Sequence, residues 1–129
     1  MDSLTTRKGE FLQTVRIRSY TVSADASVAS GGTDSAPTPH DYFDAALASC
    51  KAITAMWHAK RHGIPLERVA THLERDDAEE RAGIYRLRGR VEFVGLLSEE
   101  QHAALQRAVA SCPIHKLMTT ADVQIEVLS

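Results

Sequence analysis

At 129 residues the chain is long enough to bury one hydrophobic core and too short for two, so a single domain over residues 1–129 is expected, and its 43% apolar and 25% charged residues fit an ordinary globular protein. A formal net charge of −2 gives no broad positive field, which argues against nucleic acid or an anionic membrane surface as the main partner. The opening MDSLTTRKGE lacks the apolar run of a secretory signal; the expected compartment is the cytoplasm, where two cysteines serve as buried thiols, metal ligands or redox groups rather than as a permanent staple.

After a polar tail, Phe11, Val15 and Ile17 share one parity and Tyr20 and Val22 the other. The change of phase at Arg18 and Ser19 predicts two short strands joined by a tight turn. Ser23 to Ala36 is rich in Ser, Ala, Gly, Asp and Thr and reads as a surface loop. It leads into the stretch Ser35 to Pro65, read as one long helix of about 24 residues, or ~36 Å. Thr38 suits the N-cap, Pro39 the first helical position, and Asp41 completes an acidic variant of a capping box. Gly63 suits the left-handed position past the last turn, with Lys60 and Arg61 before it and Pro65 forbidding continuation.

On this helix Phe43, Ala46, Leu47, Cys50, Ile53 and Trp57 fall at three- and four-residue steps, and only a narrow strip through Asp44, Lys51 and His58 is clearly polar. Such a helix is expected to be buried on more than one side, by its own domain or by a second subunit. Its charges exclude a membrane span. Further on, Val69, Thr71 and Leu73 alternate with polar residues, and IYRLRGRVEFVG alternates strictly, predicting a hairpin with one buried face. Arg86, Arg88 and Arg90 then lie on the solvated face, opposite His72, Glu74 and Asp76. Ser98 and Gln101 predict a capped second helix with Leu105, Ala108, Val109 and Cys112 inward, Pro113 ends regular helix, and Val123, Ile125 and Val127 predict a last strand. Helices packed on largely antiparallel strands make an α+β domain.

Cys50 and Cys112 thus sit on the apolar stripes of two different helices. Periodicity leaves three readings open. Both are small core residues; or Cys112, His115 and Cys50 hold zinc, although no Cys-x-x-Cys or His-x-x-x-His pair supports it; or they are a dithiol pair, one thiolate attacking an electrophile and the other resolving the product into a disulfide. A thiolate needs a basic or hydrogen-bonding neighbour, and His40, Asp41, Arg16, Arg18 and His115 are the candidates. His40 lies about three turns, ~15 Å along the helix, before Cys50.

The stretch GGTDSAPTPHDYFDAALASC resembles the Gly-Gly, x-Pro-x-Pro, Ala-Ala-Leu-Ala-x-Cys segment of the OsmC/Ohr family, the osmotically induced and organic-hydroperoxide-resistance proteins, and ASCPIHKLM resembles that family's second signature. The resemblance runs from about Val15 to the C-terminus. It implies an OsmC-like α+β fold, an antiparallel sheet with a long central helix and a second helix, built as an intertwined homodimer with active sites at the subunit boundary. It also implies reduction of organic hydroperoxides, and in some members hydrogen peroxide, without metal, haem or other cofactor, with an external dithiol as reductant. By the same resemblance Cys50 aligns with the peroxidatic cysteine and Cys112 with the resolving one. The hydroperoxide-resistance branch has a glutamate where this chain has His40, with Asp41 one place on; Arg18, in preference to Arg16, is taken for its arginine. A non-catalytic dimer holding a small apolar ligand between subunits is the alternative expectation.

Overall fold

The computed structural model describes residues 1–128. The chain divides into two compact units, Met1–Ala45 and Ala46–Ser129.

The first unit carries a three-stranded antiparallel sheet of β1 (Asp2–Thr5), β2 (Gln13–Ile17) and β3 (Tyr20–Ala24), in that order. β2 and β3 form the expected hairpin: Ile17 pairs with Tyr20, and Arg18 takes a left-handed φ of 56° to close the turn. β1 corrects the expected polar tail. All four of its residues are exposed, so no apolar alternation marks it, and its backbone pairing from Asp2↔Arg16 to Thr5↔Gln13 defines the strand. The loop that follows β3 turns on Asp25, which is 4% exposed. Its carboxylate accepts from the Ala26 N–H at 2.8 Å, the Ser35 N–H at 2.9 Å and the Thr33 hydroxyl at 3.0 Å. These donors, Ser35 foremost, hold the carboxyl below its ordinary range. The loop closes so tightly at Gly32 that a Cβ there would meet the Ala26 carbonyl oxygen at 2.1 Å, so only glycine fits.

Helix α1 spans Pro39–His62. The expected acidic capping box is present: the Asp41 N–H donates to Thr38 Oγ1 at 3.2 Å and the Thr38 N–H donates to Asp41 Oδ2 at 2.9 Å. At the other end Gly63 has φ 64° and the Ile64 N–H returns to the Ala59 carbonyl at 2.9 Å, a Schellman closure.

In the second unit β4 (Leu66–Asp76) and β5 (Arg86–Gly95) form an antiparallel hairpin. His72↔Arg90, Glu74↔Arg88 and Asp76↔Arg86 are cross-strand partners, the register the alternation predicts. The capping box of α2 (Glu99–Ala110) is likewise present, with Ser98 and Gln101 bonded reciprocally at 3.1 and 3.0 Å. Ala55, Ala59, Leu66, Leu105 and Val109 make the core, flanked by Met56, Val69, Val91 and Phe93. Leu105 is completely buried, a contribution of roughly 1.5–3 kcal/mol from its side chain.

Within one chain the buried line of α1 runs through Leu47, Ala55 and Ala59 with half-buried Lys51 between them, because alanines let the helix backbone approach its neighbours; Phe43, Ile53 and Trp57 are 47%, 67% and 57% exposed. Three expectations are corrected here. Cys112 does not lie on the apolar stripe of α2, which ends at Ala110 with Ser111 as its C-cap; it is the N-cap of the helix that follows. Pro113 does not end helical structure. It opens a third helix, α3 (Pro113–Thr120), at the first position, where its missing N–H costs nothing. Val123, Ile125 and Val127 form no strand: among the described residues no strand pairs with them, and all three are exposed.

Candidate functional site

Pro113 decides the local geometry. Without an N–H it cannot continue α2, and with φ fixed near the helical value it starts α3 at once, leaving Cys112 as the N-cap at the junction. Cys112 is fully buried there. Cys50, half-buried at the middle of α1, faces the same junction: its Sγ accepts from the Ile114 N–H, in the first turn of α3, at 3.5 Å. The two thiols adjoin and neither is in a disulfide. Burial pushes the Cys112 thiol up and the neighbouring Cys50 side chain adds to this, while the His115 backbone N–H and the Lys51 charge pull the other way; the net direction is upward.

Lys51, next along α1, reaches into this junction. Its Nζ donates to the Val109 carbonyl, near the end of α2, at 2.7 Å and lies 3.4 Å from His115 Nδ1 on α3. An open cleft of about 430 Å³ adjoins these two residues, walled by Leu47, Leu73, Leu87 and Val91. Among the described residues no three His, Cys, Asp or Glu side chains converge to hold a metal ion, Cys50, Cys112 and His115 included.

The structure therefore gathers Cys50, Cys112 and His115 in the second unit. Arg18, His40 and Asp41 belong to the first. Arg18 stacks its guanidinium over the Tyr20 ring at 5.3 Å, and Asp41 is engaged in the helix cap. His40 occupies the first turn of α1. Lys51 was not singled out from the sequence except as part of a polar strip; its signal was a lone long cation set among the small residues that follow Cys50.

Residues 32–127 match the family described as OsmC-like protein, a span that takes in both cysteine segments. The chain belongs to that family. No curated protein matches it. Among solved structures, this OsmC-like chain is similar to a Psychrobacter arcticus protein named for osmotic stress induction and a detoxification response, at 20% identity and a TM-score of 0.74, covering 92% of this chain and 88% of that one. It is also similar to an OsmC-like protein of Mycoplasma pneumoniae, at 18% identity and a TM-score of 0.68, covering 84% and 79%. At such identities the likeness establishes the shared fold, and with it the OsmC-like α+β architecture expected from the two segments.

Proposed function

We propose that this OsmC-like protein is a thiol-dependent peroxidase that reduces organic hydroperoxides through a Cys50/Cys112 dithiol–disulfide cycle and works as a homodimer. The observation that carries the reading is that a partly buried Cys50 and a fully buried Cys112 lie at one helix junction. Cys50, the less buried of the two residues, is the one peroxide reaches first. The Cys50 thiolate attacks the terminal peroxide oxygen, the O–O bond breaks, and the alkoxide leaves as alcohol after taking a proton, which gives a Cys50 sulfenic acid. The Ile114 N–H at the start of α3 offers a donor beside this sulfur while charge moves through it. Cys112 then gives up its proton and attacks the sulfenic sulfur; hydroxide leaves and combines with that proton as water, and the disulfide is formed. An external dithiol restores both thiols by two exchange steps. The apolar wall of the adjoining cleft suits the organic group of the substrate.

The test uses cumene hydroperoxide with dithiothreitol as reductant. Cys50→Ser is expected to abolish peroxide consumption, because a serine hydroxyl stays protonated and is a poor nucleophile at neutral pH. Cys112→Ser is expected to react once and stop at a sulfenic acid that dimedone traps. If Cys50→Ser keeps the single turnover and Cys112→Ser is inert, the roles are exchanged. A wild type that loses no thiol to any hydroperoxide rejects the peroxidase and leaves the same cleft as a binding site for a small apolar ligand.

A further inference from the structure

Cys112 presents a difficulty for any cycle that uses it. As the second nucleophile it must become a thiolate, yet it is fully buried. The groups that surround it come from every element of the junction. Cys50 and Lys51 come from α1 and His115 from α3, while α2 contributes the Val109 carbonyl. Across the cleft β5 contributes Arg90, and no carboxylate lines that cleft.

Within this set Lys51 is fixed on two sides. Val109, whose carbonyl it bonds, lies three residues before Cys112, and His115, whose Nδ1 it meets, lies three residues after. The ammonium is thereby pinned across the turn that carries the sulfur. With Lys51 as the donor, the His115 ring accepts at Nδ1 and keeps its own proton on Nε2.

From this placement we infer that Lys51 is a positioning residue for the second half of the cycle, its ammonium clamped by Val109 and His115 so that it faces the Cys112 sulfur as that sulfur ionises and attacks. The inference rests on the Cys50–Cys112 pairing proposed above and adds a control on the resolving step. The direction of each influence on Cys112 agrees with it: Lys51 works against burial.

The experiment reads the resolving step without peroxide, using reduced protein and 4,4′-dithiodipyridine. Cys50 displaces one thiopyridone to form a mixed disulfide, and Cys112 then displaces the second to form the protein disulfide, so the two steps appear as two absorbance phases; Cys112→Ser supplies the one-phase control. In Lys51→Met the second phase is expected to slow about tenfold at pH 7, and the midpoint of its pH profile to move up by about one unit. Lys51→Arg, which keeps the charge, is expected to restore most of both. Should Lys51→Met fail to fold, Lys51→Gln decides the matter in the same assay, since its amide keeps a hydrogen-bond donor but carries no charge. An unshifted pH profile in the neutral variant overturns the assignment, as does a Lys51→Arg protein as slow as Lys51→Met. A wild type that releases only one thiopyridone overturns it together with the cysteine pairing. Parallel exposure to cumene hydroperoxide tests the peroxidase separately: thiols that pair with the reagent but resist the peroxide remove the peroxidase reading, and the Lys51 comparison still gives its answer.

Discussion

Cys112 carries a pH dependence that can be read at the level of one residue. In the unfolded chain its thiol titrates near the ordinary value, about 8.5, whereas in the fold burial raises it. Above pH ~8.5 the folded state therefore holds a proton that the unfolded state has released. The stability linked to this thiol is complete below that pH and declines as pH rises through the folded value. Reduced wild-type protein should lose more stability between pH 8 and 10 than Cys112→Ala does, measured as the shift in urea midpoint; equal slopes would remove the buried thiol as the cause. Cys50 was legible from helical periodicity as an inward-facing residue of α1; Cys112 is buried as expected, but at the junction past the end of α2, where the N-cap position before Pro113 and not the period of α2 turns it inward. Lys51 was not legible, because a cation on a helix reads as solvated unless the carbonyl and imidazole that receive it are already known, and those come from residues 58 and 64 positions away.

At the scale of elements, what the sequence disclosed was local. The caps of α1 and α2 depend on residues three apart, and the hairpin of β4 and β5 follows from strict alternation, so each was readable with its register. Thr38→Ala should lower stability by about 1 kcal/mol in urea unfolding, by removing the side-chain acceptor of the Asp41 N–H. Leu105→Ala, in the packed interior, should cost more, about 2–5 kcal/mol. Elements defined by a partner were not readable. β1 has no apolar alternation and exists through its pairing with β2. Val123, Ile125 and Val127 have the alternation but no paired strand. At Pro113 one residue type carries two meanings, stop and start, and the eight-residue α3 behind it was too short to show a period.

For the whole molecule, the surface of α1 is the informative feature. A helix this long with Phe43, Ile53 and Trp57 turned outward leaves large apolar side chains in water, which the proposed homodimer would cover. Light scattering at micromolar concentration should return twice the chain mass; a value of 14.1 kDa would reject the dimer. One member of that surface also supplies its own readout. Trp57 is the only tryptophan in the chain, and the Arg61 guanidinium lies 4.7 Å from its ring centroid. All indole fluorescence therefore originates at a single place on α1. Its emission maximum, and its quenching by iodide or acrylamide, would follow the wetting of that one surface as the protein is diluted, without any label or engineered probe.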